Sequence, residues 1–139
     1  MTADGFTLHP RLAADTLAVT DLPLCRALLM GNRLFPWLIL VPRRPDAVEL
    51  HRLAPADRRQ LMEEIALASR VLEAEVAPDK LNVGALGNMV PQLHVHIVAR
   101  RRDDPAWPGP VWGSGHAAPY APGDGEALAV RLAAALTAP

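Results

Sequence analysis

A single cysteine, Cys25, leaves the chain without a partner for an intramolecular disulfide, so its folding does not call on oxidising conditions. No signal-like stretch opens the sequence, and the two absences together favour a reducing, cytoplasmic setting. Long hydrophobic runs are missing as well. The longest, "FPWLILV", is far shorter than the roughly 20 residues a membrane helix needs, and it contains a proline. Charge of one sign is also lacking: 14 Lys and Arg stand against 15 Asp and Glu, a net charge of −1. No overall basic field therefore draws the chain to nucleic acid or an anionic membrane, and any anion it binds has to be held locally. There is no internal repeat.

The 139 residues present are most simply one compact domain, large enough to bury about two-thirds of its unfolded surface. Residues 1–15 show little periodicity and are expected to be an irregular lead-in, followed by one short apolar run, "TLAV". The runs "PLCRALLMGN" and "PWLILVPRR" flank a short "NRLF" turn and predict a hairpin. From Pro55 to about Val76, Leu61, Ile65, Ala68 and Leu72 recur at helical spacing. Arg58, Arg59, Glu63, Glu64, Arg70 and Glu73 are assigned mostly to the solvent side. "KLNVGAL" and "MVPQLHVHIVAR" predict two further strands. Residues 103–123 are dense in Pro and Gly and predict a loop, and "EALAVRLAAALTA" predicts a short terminal helix. The order defines an α+β domain with a mainly antiparallel sheet of about five strands, one long helix and a shorter carboxyl-terminal one.

The chemistry concentrates on one strand. Alternation places Val90, Gln92, His94, His96 and Val98 on one face, with the polar neighbours about 6.6 Å apart, and leaves Leu93, Val95, Ile97 and Ala99 on an apolar face. A histidine nucleophile or general base needs one ring nitrogen facing the substrate and the other held in a single tautomer. The preceding turn, "NVGALGN", supplies Asn82 and Asn88 as amide donors and Gly84 and Gly87 where backbone N–H groups can approach an anion. Alone, such a turn joins strands in every kind of protein. His-x-His on a strand is also half of a metal site, but the remaining histidines, His9, His51 and His116, fall in segments assigned to loops, and the strand carries no Asp or Glu. The run Arg100, Arg101, Arg102, balanced by Asp103 and Asp104, is assigned to a solvated strand end.

The segment "GNMVPQLHVHIVAR" resembles the signature strand of the histidine triad (HIT) superfamily of nucleotide hydrolases and transferases, with Gln92, His94 and His96 at the three triad positions. Hairpin, long helix, "N-x-G" turn, histidine strand and a Trp-Pro-Gly segment follow the family's order over about residues 16–115. The resemblance implies a single HIT-like domain over residues 1–139 without cofactor or metal, a small-molecule nucleotide substrate and a homodimer. By resemblance His94 attacks the α-phosphorus to give a nucleotidyl-histidine intermediate. His96 orders the phosphate network, Asn88 and Asn82 donate to phosphate oxygens, Asn32 contacts the ribose, and Phe35 with Leu34 walls the base pocket. For Phe35 a core position in the hairpin turn is the competing reading. Trp107 or Trp112 either reaches a partner's pocket or anchors the loop to its own core.

Two departures stand out. Gln92 replaces the first histidine and cannot become a cation at neutral pH. Trp37 stands where many relatives have a histidine. Three functions are thus in play: a nucleotide phosphohydrolase or nucleotidyl transferase, a nucleotide-binding module with little catalysis, and a metal protein built on His94 and His96.

Overall fold

The computed structural model describes residues 5–139, so the first four residues of the expected lead-in lie outside the description. Strands β1 (Thr16–Asp21), β2 (Cys25–Met30), β3 (Trp37–Pro42), β4 (Lys80–Gly84) and β5 (Val95–Arg100) form one sheet in the order β1-β2-β3-β5-β4. All pairings are antiparallel. Helices α1 (Pro10–Asp15), α2 (Pro55–Val76) and α3 (Asp124–Leu136) complete the α+β architecture that the sequence order implies.

Helix α2 begins where its sequence dictates. Pro55 takes the first turn, where a missing N–H costs nothing and φ is already helical, and Asp57 sits against the positive end of the helix dipole. It ends at Ala77, which is left-handed at φ 45° and sends its N–H to the Glu73 carbonyl. Leu61, Ala68 and Leu72 are buried on the sheet face that Cys25, Ala27, Leu29, Leu38, Leu40, Val95, Ile97 and Ala99 present, and α3 adds Leu128 and Leu132 to the same layer. Each fully buried leucine stabilises by about 2 kcal/mol.

Glu64 departs from its solvent-side assignment. It is 2% exposed, and its carboxylate accepts the N–H groups of Leu24 and Cys25, each at 2.8 Å, and the Gln60 side-chain amide at 2.7 Å. The turn that launches β2 leaves two backbone donors in the core, and a carboxylate reaching across from α2 satisfies both. The Cys25 thiol is fully buried beside it, its pKa pushed up by burial first and by the Glu64 charge second.

The opposite sheet face is covered differently. Phe6 and Leu12 from the amino-terminal segment and Val111 from the long loop pack on Leu28, Phe35, Trp37, Ile39, Val41 and Val98. Residues 10–15 are helical, in place of the expected irregular lead-in: Pro10 opens α1 and the His9 ring Nδ1 accepts the Arg11 N–H at 3.0 Å. Six residues are too few for a periodic pattern to declare itself.

The strand end at Arg100 is also unlike its assignment. Arg100 is 1% exposed and forms a bidentate pair with Asp104, Nε to Oδ2 at 2.7 Å and Nη2 to Oδ1 at 3.0 Å, while Nη1 donates to Asn82 Oδ1 at 2.9 Å. Its guanidinium lies 5.6 Å from the Phe35 ring and 5.7 Å from that of Trp107. A planar cation between two rings with its N–H groups satisfied is one of the few ways an arginine can be buried. The pair holds the Asp104 carboxyl well below its usual range, at about 2, through the Arg100 hydrogen bonds.

Candidate active site

Strand β5 is six residues long, shorter than expected. Pro91 has no N–H to give a ladder, and the Leu93 N–H is taken by the Ala47 carbonyl at 2.9 Å, so pairing starts only at Val95. His94 therefore stands just before the strand and His96 within it, their ring centroids 4.8 Å apart and steeply inclined. Both are more than nine-tenths buried, and both line a cavity of about 700 Å³ on the sheet face away from α2.

Their tautomers follow from their partners. His94 Nδ1 lies 2.6 Å from the Gln92 backbone carbonyl. A carbonyl only accepts, so Nδ1 carries the proton and Nε2 keeps its lone pair. His96 is set the other way: the Trp37 indole Nε1 donates to its Nδ1 at 3.0 Å, so the proton sits on Nε2. Burial, then the neighbouring His94 charge, lowers the His96 pKa to about 4. The two hydrogen bonds thus turn a ring-nitrogen lone pair of His94 and an N–H donor of His96 toward the same cavity.

Trp112 completes this corner. It lies edge-on to His96 at 5.5 Å and to Trp37 at 6.5 Å. Gly84, paired with His96 across β4 and β5, makes the space: a Cβ there would stand 3.2 Å from the Trp112 ring. Gly84 thus serves a ring's close approach, while Gly87, left-handed at φ +74°, turns the loop along the cavity rim. Trp107 packs over Arg100, and both tryptophans anchor the long loop on their own chain.

The other expected site residues separate into two groups. Asn88 is exposed and lines the cavity beside Gly87. Asn32 also lines it, but its amide is spent on structure: Oδ1 accepts the N–H groups of Leu34 and Ala118 at 3.1 and 3.3 Å, and Nδ2 donates to the His116 carbonyl at 3.1 Å. It ties the hairpin to the long loop. Asn82 is not among the cavity's lining residues, because its Oδ1 faces inward to Arg100. Phe35 is 1% exposed beneath Arg100, in the core rather than in a base pocket.

Gln92 does not join the histidines in a row. Its Oε1 accepts the His9 N–H at 2.8 Å and its Nε2 donates to the Thr7 carbonyl at 2.9 Å. Without strand pleat at residue 92, alternation no longer dictates where the side chain points. Arg11, Asp15 and His116 line the cavity and were not signalled by the sequence, Arg11 and Asp15 because they sit on the short helix α1. Among the described residues, no three His, Cys, Asp or Glu side chains cluster as metal ligands, and no helix is long and apolar enough to cross a membrane.

Fold and site together define a class: a five-stranded α+β domain with a pair of tautomerically fixed histidines at the mouth of a central strand. The HIT domain model matches residues 11–103. A histidine triad protein from Bradyrhizobium japonicum is 48% identical, with TM-score 0.88 over 91% of this chain and 95% of that one. One from Sinorhizobium meliloti is 46% identical (TM-score 0.89; 92% and 95% covered), and one from Marinobacter aquaeolei 43% (TM-score 0.90; 94% and 96%). No curated protein matches in sequence. The chain belongs to the HIT family.

Proposed function

We propose that this protein is a nucleotide phosphohydrolase or nucleotidyl transferase acting at the α-phosphorus through His94, on a small-molecule nucleotide and as a homodimer. Family membership supports a nucleotide-binding or hydrolase-like role. The observation that carries the finer reading is the opposed tautomer pair: the Gln92 carbonyl on His94 Nδ1 and the Trp37 indole on His96 Nδ1.

The steps follow from those two bonds. The His94 Nε2 lone pair forms a bond to the α-phosphorus, and the bond to the leaving group breaks with its electron pair on that group. The positive charge gained by the ring is shared with the Gln92 carbonyl through the Nδ1 proton. His96 Nε2–H is the neutral donor beside a phosphate oxygen, and Asn88 on the exposed rim of the cavity is a second donor, through its amide. Water then attacks phosphorus as its proton passes to bulk solvent, the P–N bond breaks with its electron pair returning to Nε2, and a nucleoside monophosphate is released.

His94→Ala should lower turnover of nucleoside phosphoramidates and dinucleoside polyphosphates by at least about a thousandfold. Mass spectrometry of the quenched wild type should find a nucleotidyl adduct on His94; undiminished turnover in the variant would falsify the assignment. One observation favours a second reading, a binding module with little catalysis: the Gln92 amide is engaged by Thr7 and His9 and offers no acid to a leaving group. Calorimetric nucleotide binding without turnover, unimproved by any leaving group, is the outcome that favours it.

A further inference from the structure

We infer that Arg11 is the contact for a second anionic group on the ligand, beyond the phosphorus attacked, and that Gln92 is the positioning residue that holds Arg11 there. This rests on the proposed reaction and narrows its substrate to nucleotides whose leaving group is itself a phosphate or polyphosphate.

Charge in the cavity supplies the first reason. Its wall is dominated by apolar residues such as Leu12, Met30, Ile39 and Val111, and Arg11 is the single Lys or Arg among the residues lining it. Among the described residues the Arg11 guanidinium is held by Asp15 alone, itself on the cavity wall, Nε to Oδ2 at 3.5 Å, with both side chains about half exposed, at 61% and 48%. An exposed pair of that kind is weakly held, so a phosphate that accepts a forked pair of N–H bonds can displace it.

The second reason is the missing acid. An amine leaving group has to gain a proton as its bond to phosphorus breaks, whereas a phosphate or polyphosphate leaves as a stable anion. The Gln92 side chain cannot supply a proton, and it is turned to the Thr7 carbonyl and the His9 N–H. His96, neutral and tied to Trp37, is a donor and not an acid. The site is therefore matched to a leaving group that needs countercharge more than protonation.

The position of Arg11 follows from Gln92. The clamp on Thr7 and His9 fixes the chain just before α1, and the His9 ring in turn accepts the Arg11 N–H at 3.0 Å. The side chain two residues before the nucleophile thus sets where the first turn of α1, with Arg11 and Leu12, meets the cavity.

The test compares kcat/KM for a dinucleoside polyphosphate and a nucleoside phosphoramidate in wild type, Arg11→Gln, Gln92→Ala and the double variant. Arg11→Gln should cost the polyphosphate about tenfold more than the phosphoramidate, mostly in KM, and flatten the salt dependence of KM. Gln92→Ala should show the same bias, and the double variant should fall no further than the worse single one. Equal losses on both substrates overturn the role of Arg11, and additive losses overturn the positioning role of Gln92. Absence of turnover on both substrates in the wild type would instead strike the proposed reaction itself.

Discussion

At the scale of single residues, the donor to His96 matters as much as the imidazole. Trp37 gives a proton and cannot take one, so it keeps His96 neutral and its Nε2–H aimed away from β3. Trp37→Phe keeps the bulk and removes the donor. The expected result is a mixed tautomer population in the 15N shifts of His96 and a ten- to hundredfold loss of kcat, the usual range for a lost orienting bond. An unmixed spectrum would show that something else fixes the ring. The histidine pair was legible in the sequence because alternation survives from His94 onward. Gln92, Asn82 and Phe35 point away from the cavity for one reason: a residue type suited to a site is equally suited to hold backbone or fill the core, the reading that competed for Phe35, and only the local pairing decides. Pro91 was the overlooked signal, since a proline inside a run argues against strand.

At the scale of elements, the sequence located α2 well because a proline start and a long apolar stripe agree over 22 residues. It located Glu64 badly because periodicity assigns charge to solvent, and nothing local announces two stranded N–H groups some forty residues away. Glu64→Ala should leave the Leu24 and Cys25 donors buried and unmet, at a cost of about 3 to 5 kcal/mol in urea unfolding. Glu64→Gln, which keeps one acceptor oxygen, should cost clearly less, and equal costs for the two would refute the hydrogen-bond account. Arg100 teaches the same lesson: a basic run looks solvated until a pair of rings and a fixed carboxylate are brought to it by residues 35, 104 and 107.

At the scale of the whole molecule, acid stability should fall in two windows. His96 has a folded pKa of about 4 against 6.5 for the free side chain. The unfolded chain therefore binds the extra proton first, and up to about 3 kcal/mol is lost as pH drops from 6.5 to 4. Asp104 has its pKa lowered from 3.8 to about 2, so the stability it contributes is present above 3.8 and disappears as pH falls through 2. Denaturant titrations of His96→Gln should flatten the upper window alone and those of Asp104→Asn the lower. Unchanged curves would show that neither group governs acid unfolding. The fold class was legible at this scale from element order, while the cavity was not, since its walls come from segments that share no pattern.

The two ties that build those walls reach across most of the chain: Gln92 to His9 spans 83 residues and Asn32 to Ala118 spans 86. Sheet pairing between β2 and β3 needs only neighbours in sequence, but the cavity needs both ends of the chain at once. On the ribosome, the histidines are synthesised well before the loop that encloses them. A nascent chain stopped short of residue 118 carries all five strands and both histidines yet lacks the Ala118 tie to Asn32, so the cavity can be closed only after the whole sheet has been made.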